Sequence, residues 1–392
     1  MKKTLAAVAV LGAFAGSAIA ADVTLYGVVD MGLAYDHVDM DQAGVDDVDN
    51  FSMKSGQQSG SRWGLKGTED LGNGLTVGFI LEDGFTADDG AEKGVMFDRE
   101  SSLFIEGGFG KLAFGRMGSI NQGTSSWALA GNLSAFGTSF NNYVAQTSNF
   151  VSTAGIWDNM ISYKTPTFAG FTVYAQYAMG NTTDSIDLGN GEYADGHENE
   201  SDADRYYVIG ATYANGPFLG YLAVDSINYK TWGNNAAIAG DIDDSLTVTL
   251  GGNYDFEVAK VFFGAQYFDE VKLSSLGGIT KSATMPTGYS SGMKVKGFGV
   301  GLSASAPLAG GTGMFGLAYV DAEQADSVDA AKEFDFTRWI VSAGYDYPFS
   351  KRTDVYAVAS YMDDEIESKG TNTAADWNPS AYTFMVGLRH KF

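Results

Sequence analysis

The stretch Ala381–Phe392, AYTFMVGLRHKF, decides the fold. In an extended chain, successive side chains point to opposite faces. Tyr382, Phe384, Val386, Leu388, His390 and Phe392 therefore fall on one side, and Thr383, Met385, Gly387, Arg389 and Lys391 on the other. A strand of roughly 10 residues with one apolar and one mixed face suits a wall standing between lipid and water. Two more stretches repeat the pattern. Over 246–257, Leu246, Val248, Leu250, Gly252, Tyr254 and Phe256 alternate with Thr247, Thr249, Gly251, Asn253, Asp255 and Glu257. Over 171–179, Phe171, Val173, Ala175, Tyr177 and Met179 alternate with Thr172, Tyr174, Gln176 and Ala178.

Working outward from these, strands are predicted near 23–35, 59–68, 75–83, 101–107, 110–116, 158–165, 171–180, 205–214, 217–229, 245–256, 258–270, 294–306, 312–322, 334–347, 353–363 and 380–392. That is an all-β chain forming a sixteen-stranded antiparallel transmembrane barrel. An even number brings both chain ends to one side, where they can pair and close the sheet. Closure removes the unpaired edges that lipid cannot satisfy. The connections alternate: short ones at 69–74, 108–109, 166–170, 215–216, near 257, at 307–311 and 348–352, and long ones at 36–58, 84–100, 117–157, 181–204, 230–244, 271–293, 323–333 and 364–379. A barrel of this size is too wide for side chains to fill, so a water channel is expected through it.

Residues 1–20 read as a cleaved secretory signal. Lys2 and Lys3 precede the small and apolar run Leu5–Ala15, and Ala18-Ile19-Ala20 offers a small–x–small cleavage site. The remaining 21–392 is read as a single barrel domain. No later segment holds 18 consecutive apolar residues, so no spanning helix is predicted. The sequence has 51 Gly, 21 Tyr and 25 Phe, only 6 Pro and no Cys, so disulfides contribute nothing to its stability. Loss of Lys2 and Lys3 would take the formal net charge of −24 two units lower, to about −26. That acidity excludes a nucleic-acid partner.

Several stretches carry a family resemblance. These are Val23–Asp30 (VTLYGVVD), Ser61–Gly74 (SRWGLKGTEDLGNG), Asp98–Ser101 (DRES), Phe109–Arg116 (FGKLAFGR), Tyr345–Thr353 (YDYPFSKRT) and the terminal Phe392. In order and spacing the chain resembles the trimeric general porins of Gram-negative outer membranes, of the neisserial and burkholderial type. The resemblance implies a homotrimer in the outer membrane, contacting lipid and lipopolysaccharide. It further implies an inward-folded third long loop that narrows the pore, and assembly by the outer-membrane barrel machinery with Phe392 as the signal. The expected function is passive diffusion of ions and small hydrophilic solutes, weakly selective, with a basic wall at the constriction and no enzymatic activity.

The candidate constriction residues are Arg62, Lys66, Arg99 and Arg116. Alternation through 61–67 sends Trp63 and Leu65 to lipid and therefore Arg62 and Lys66 to the lumen. Arg99 and Arg116 match positions that the resemblance associates with the constriction, although simple parity gives both the lipid-facing side. Lys164 and Arg389 face inward, nearer the periplasmic mouth. The third long loop, 117–157, contains no Asp, Glu, Lys or Arg. That departs from the family, whose loop carries carboxylates opposite a basic wall. Asn121, Trp127, Phe136, Asn141 and Tyr143 are its candidate lining residues, with Phe140, Phe150 and Trp157 as further aromatics.

Two other readings stand beside the open pore. In one, the third-loop aromatics stack on sugar rings in a substrate-specific channel. In the other, the acidic loops at 36–49, 184–204 and 363–367 serve adhesion or lipopolysaccharide bridging through Ca²⁺ or Mg²⁺, which take several carboxylate oxygens. No cofactor is assigned. Gly311–Gly316 spells G-x-G-x-x-G but runs on into a strand-like segment, so it lacks the helix a dinucleotide site requires. His37, His197 and His390 stand beside no candidate Ser nucleophile, which leaves no hydrolase motif.

Overall fold

A computed structural model describes residues 23–140, 143–180, 186–187, 193–194, 204–229, 243–282, 285–290, 292–325, 333–372 and 374–392. The expected signal segment, 1–20, lies outside them. The wall strands are β1 (Thr24–Asp39), β2 in two parts (Val48–Ser55 and Arg62–Gly72), β3 (Leu75–Gly84), β4 (Glu100–Gly107), β5 (Gly110–Gly118), β6 (Ile156–Lys164), β7 (Phe171–Ala178) and β8 (Arg205–Asn215). They continue with β9 (Phe218–Asn228), β10 (Leu246–Asp255), β11 (Lys260–Lys272), β12 (Lys294–Leu308), β13 (Gly311–Gln324), β14 (Phe334–Pro348), β15 (Thr353–Ser368) and β16 (Ser380–Lys391). Each pairs antiparallel with the next, and β16 pairs with β1 from Val28↔Lys391 to Asp39↔Ser380. Phe392 extends the seam by exchanging both backbone hydrogen bonds with Gly27 at 3.1 Å. The barrel is closed, with sixteen strands among the described residues.

Alternation sets the two faces. Leu246, Leu250, Phe298, Leu302, Phe315, Leu317, Phe384, Val386 and Leu388 are exposed on the outside, while Thr247, Thr249, Ala318, Val320, Thr383 and Met385 are buried on the inside. Among the described residues no helix is long and apolar enough to cross a membrane; the strands make the crossing. Short turns sit at the end that holds both termini. Asn73 and Gly74 (φ 53° and 75°) supply the two positive φ values that a two-residue hairpin turn of the right twist needs.

Two strand ends differ from the sequence expectation. The first long loop is not 36–58: β1 runs to Asp39, and Val48–Ser55 pairs back on it before a break at 56–61. Likewise β15 continues to Ser368, through the acidic run expected to be loop. Asp364 enters the lumen there, and Arg338 neutralises it.

The long connection between β5 and β6 folds into the barrel. Its rings and backbone press on inward-facing glycines of the wall, where a Cβ would collide with them. Leu133 lies against Gly251 and Gly264, Phe150 against Gly299 and Gly301, and Phe136 against Gly316 and Gly344. Wall side chains then satisfy the loop's backbone. Gln176 Oε1 accepts from Ile120 N (2.8 Å), Ser303 Oγ from Ala135 N (2.8 Å), Ser342 Oγ from Ala145 N (2.8 Å) and Gln266 Oε1 from Ser152 N (2.6 Å).

Arg338 on β14 pins this packing. Its guanidinium is fully buried and paired with Asp364 of β15 at 2.6 and 2.7 Å. It also donates to the carbonyls of Asn149 (3.2 Å), Leu276 (2.6 Å) and Gly277 (3.2 Å), so one side chain ties two inward loops to the wall. Removing one partner of a buried pair leaves an uncompensated charge, whereas removing both is far better tolerated. Arg338→Met is therefore expected to lower folding stability by about 3–5 kcal/mol, read from the urea midpoint in detergent, with Arg338→Met/Asp364→Leu recovering much of the loss. A single variant no less stable than the double would contradict the pinning role.

Candidate pore constriction

Opposite the packed loop, the lumen wall formed by β1, β2, β3 and β16 carries the charges. Arg62 opens the second part of β2, with Nε 3.5 Å from Glu82 Oε2 and Nη1 donating to the carbonyl of Gly60 at 2.9 Å. Arg99 donates from Nε to Glu82 Oε1 at 2.7 Å. Tyr26 Oη gives Glu82 Oε2 a third contact at 3.0 Å. Lys66, two residues past Gly64 on the same face, sits with Nζ 5.1 Å from the centre of the Tyr26 ring. Two guanidiniums thus share one carboxylate, and the group keeps a positive balance that Lys66 increases.

Arg62 and Lys66 face the lumen as alternation requires. Arg99 joins them because β4 begins only at Glu100, so strand parity does not extend to it. Arg116 stays apart. It shares the face of exposed Phe114, pairs with Asp158 of β6 and donates from Nε to the Asp98 carbonyl at 2.9 Å, beside an irregularity in the β5–β6 ladder. Burial pushes the Asp98 carboxyl above the usual carboxylate range, opposed by the Gly84 N–H it accepts. Arg389 is inward and bound to Asp354 (3.0 Å) with Asp346 at 3.7 Å, so its charge is more than offset. Lys111, unremarked in the sequence, places Nζ 3.6 Å from the Phe104 ring centre and opposite Lys164 in the ladder.

Strand alternation alone could have revealed Glu82, since Gly78, Ile80 and Glu82 share one face of β3 and Glu82 pairs with Gly64. The buried carboxylates Asp30 and Glu100 were likewise on inward positions. What no local pattern discloses is which carboxylate meets which guanidinium.

The loop candidates occupy a different place. Asn121 is buried, donating to Asp225 Oδ2 at 2.9 Å and accepting from Tyr221 and Thr249 hydroxyls at 3.4 Å. Trp127, Phe136, Phe140, Tyr143, Phe150 and Trp157 are all less than 8 % exposed. Phe136 meets Phe140 edge-on at 5.8 Å, Trp157 stacks on Tyr206 at 5.4 Å, and the Tyr143 carbonyl accepts from Ser360 Oγ at 2.5 Å. The rings are packing groups against the wall, which leaves them no free face for a sugar. Asn141 lies outside the described residues. Phe392 is half-exposed, its ring above Gly27 at the closing seam.

The acidic clusters are partly engaged with their own chain. Asp36 accepts from Thr383 Oγ1 at 2.5 Å, Asp49 from Tyr35 at 2.6 Å, and Glu367 pairs with Lys369 at 2.7 Å. Most of 184–204 lies outside the described residues.

A family model described as Gram-negative porin matches residues 6–367. The chain is 33% identical to an outer membrane porin protein of Bordetella pertussis and 31% identical to outer membrane porin protein 32 of Delftia acidovorans, in each case over 100% of both chains. Among solved structures it is similar to an anion-selective porin from Comamonas acidovorans, with 26% identity and a TM-score of 0.65, covering 95% of this chain and 100% of that one. The closed barrel, the inward loop and these likenesses agree: the chain belongs to the Gram-negative porin family and is an integral β-barrel channel protein of the outer membrane.

Proposed function

We propose that the protein is a passive, weakly anion-preferring pore for ions and small hydrophilic solutes. The observation that carries this reading is the convergence of Arg62 and Arg99 on the single carboxylate of Glu82, across from a loop without ionisable residues. A charged ring at the narrowest point selects permeating ions. Here the fixed surplus is positive and the facing loop adds nothing to oppose it. Acidic groups outside the eyelet enrich cations at the mouth, but beyond ~8 Å they are largely screened at physiological salt. The preference is therefore modest. That a structurally similar porin is described as anion-selective supports the same sign.

The remaining parts of the reading follow the family. Residues 1–20 are the export signal, and Phe392, paired into the seam, is the mark read by the barrel assembly machinery. Lipopolysaccharide and divalent cations meet the acidic loops. The functional unit is a homotrimer. Over β1, β14, β15 and β16 the outer face has a hollow of about 580 Å³, lined by small or apolar residues including Leu33, Ala343, Ala357, Ala359 and Val386. Side chains of a second copy would fill it better than disordered lipid.

Arg62→Ala is expected to move the zero-current potential in a KCl gradient toward cations, and Arg62→Ala/Arg99→Ala to move it further, since Glu82 is then uncompensated. An unchanged potential in both variants would overturn the constriction assignment. Ala357→Trp is expected to raise the monomer fraction on semi-native gels while the barrel still folds; an undiminished trimer would place the interface elsewhere.

A further inference from the structure

We propose that segment 56–61, Gly-Gln-Gln-Ser-Gly-Ser, is a second inward element of the pore, and that Asp30 and Tyr356 are the positioning residues through which it sets ion selectivity. The proposal rests on the reading of Arg62 as an eyelet residue.

The ladder between β1 and β2 shows the surplus directly. Met31 pairs with Ser55 and Val28 with Arg62, so two residues of β1 stand opposite six of β2. The extra chain goes into the lumen, because every partner it finds there is lumen-facing. Gln57 lies over Gly32, Gln58 Nε2 donates to Asp346 Oδ2 at 2.7 Å, and Ser59 Oγ accepts from Arg389 Nη1 at 2.8 Å. A Cβ placed on Gly60 would be 3.1 Å from an Arg99 nitrogen.

Asp30 organises the segment. Its carboxylate has no exposed surface, and Oδ2 accepts from the backbone N–H groups of Gln58 (2.8 Å) and Ser59 (2.7 Å). Its main chain accepts from Gly56 N (2.8 Å) and donates to Ser61 Oγ (3.1 Å). The other carboxylate oxygen accepts from Tyr356 Oη at 2.6 Å. Tyr356 in turn meets the loop ring of Phe140 edge-on, with centroids 6.0 Å apart. A continuous path therefore runs from the inward loop through Tyr356 and Asp30 to 56–61, and from the Gly60 carbonyl to Arg62 Nη1. Hydrogen bonds to an ionised acceptor are the stronger kind, and a buried acceptor stripped of a donor is costly. With the segment held, Arg62 is shared between Gly60 and Glu82. With it loosened, Arg62 loses its Gly60 anchor and is free to close on Glu82 and leave its place in the eyelet.

The sign of the effect separates this positioning role from a direct electrostatic one. Tyr356→Phe changes no charge and keeps the ring on Phe140, yet removes one donor to Asp30. Asp30→Asn removes a negative charge, which by itself would favour anions, but its amide oxygen is a weaker acceptor than the carboxylate for the N–H groups of Gln58 and Ser59 and so loosens the segment. Zero-current potentials in a KCl gradient are measured for the folded trimers of wild type, Arg62→Ala, Tyr356→Phe and Asp30→Asn, with compact mobility on unheated gels verifying each barrel. The expected result is a shift toward cations in all three variants, the Tyr356→Phe shift being a fraction of the Arg62→Ala shift. A shift for Arg62→Ala with none for Tyr356→Phe, or a shift toward anions for Asp30→Asn, overturns the positioning role while leaving the eyelet intact. No shift for Arg62→Ala overturns the eyelet itself and this proposal with it. If Asp30→Asn does not fold, Tyr356→Phe alone decides.

Discussion

Lipid offers a peptide group nothing to bond with, and this constraint governs the molecule. Each N–H and C=O that crosses the hydrocarbon layer has to find a partner on a neighbouring strand, and a sheet meets that demand only by closing on itself. The closing seam is made by the chain's two ends, β1 against β16, with Phe392 exchanging its backbone bonds with Gly27. Everything inside follows from that circumference. Sixteen strands enclose more space than their own side chains fill, so the lumen becomes available to the loops.

The protein divides the lumen in two. Along β7 to β15 the wall presents glycines and small hydroxyl or amide side chains, and the inward loop packs on them as in a soluble core. Phe150 and Phe136 need the glycines for space, and Ser303, Ser342 and Gln266 satisfy the backbone that the rings bring with them. The remaining arc, from β16 to β1–β3 together with the turn ends of β14 and β15 that carry Asp346 and Asp354, is charged. Because the loop has no ionisable residue, the proposed ion preference is assigned to that arc, to how Arg62, Lys66 and Arg99 are balanced by Glu82, and Arg389 by Asp354. A single carboxylate between two guanidiniums fixes their positions and leaves one positive charge over, whereas two carboxylates around Arg389 more than offset it.

Alternation made the wall readable from sequence. Residue pairs such as Phe384 and Thr383, or Leu250 and Thr249, declare their faces without reference to distant contacts, and the strand boundaries fell within a few residues of those observed. The second strand was the exception. Val48–Ser55 carries polar residues on both faces, Asn50, Ser52 and Lys54 against Asp49 and Ser55, which blurs the period, and its break at 56–61 looks like an ordinary Gly/Ser loop. The acidic end of β15 was hidden for a related reason, since Asp364 makes sense within a strand only once Arg338 is known to face it. Of the four constriction candidates, Arg62 and Lys66 followed from parity, Arg99 arrived from just beyond a strand end, and Arg116 was turned aside to Asp158. The third loop's lack of charge was visible at once; that its aromatics are buried against glycines was not, because that pairing spans more than a hundred residues of chain.

The central claim is that a water-filled path remains through the barrel and that its narrowest charges are positive on balance. Single-channel recording of the purified wild-type trimer in a planar bilayer under a KCl gradient tests both parts together. Stable open steps are expected, with a zero-current potential displaced modestly to the chloride side. Silent insertions, or a potential near the potassium limit, would contradict it.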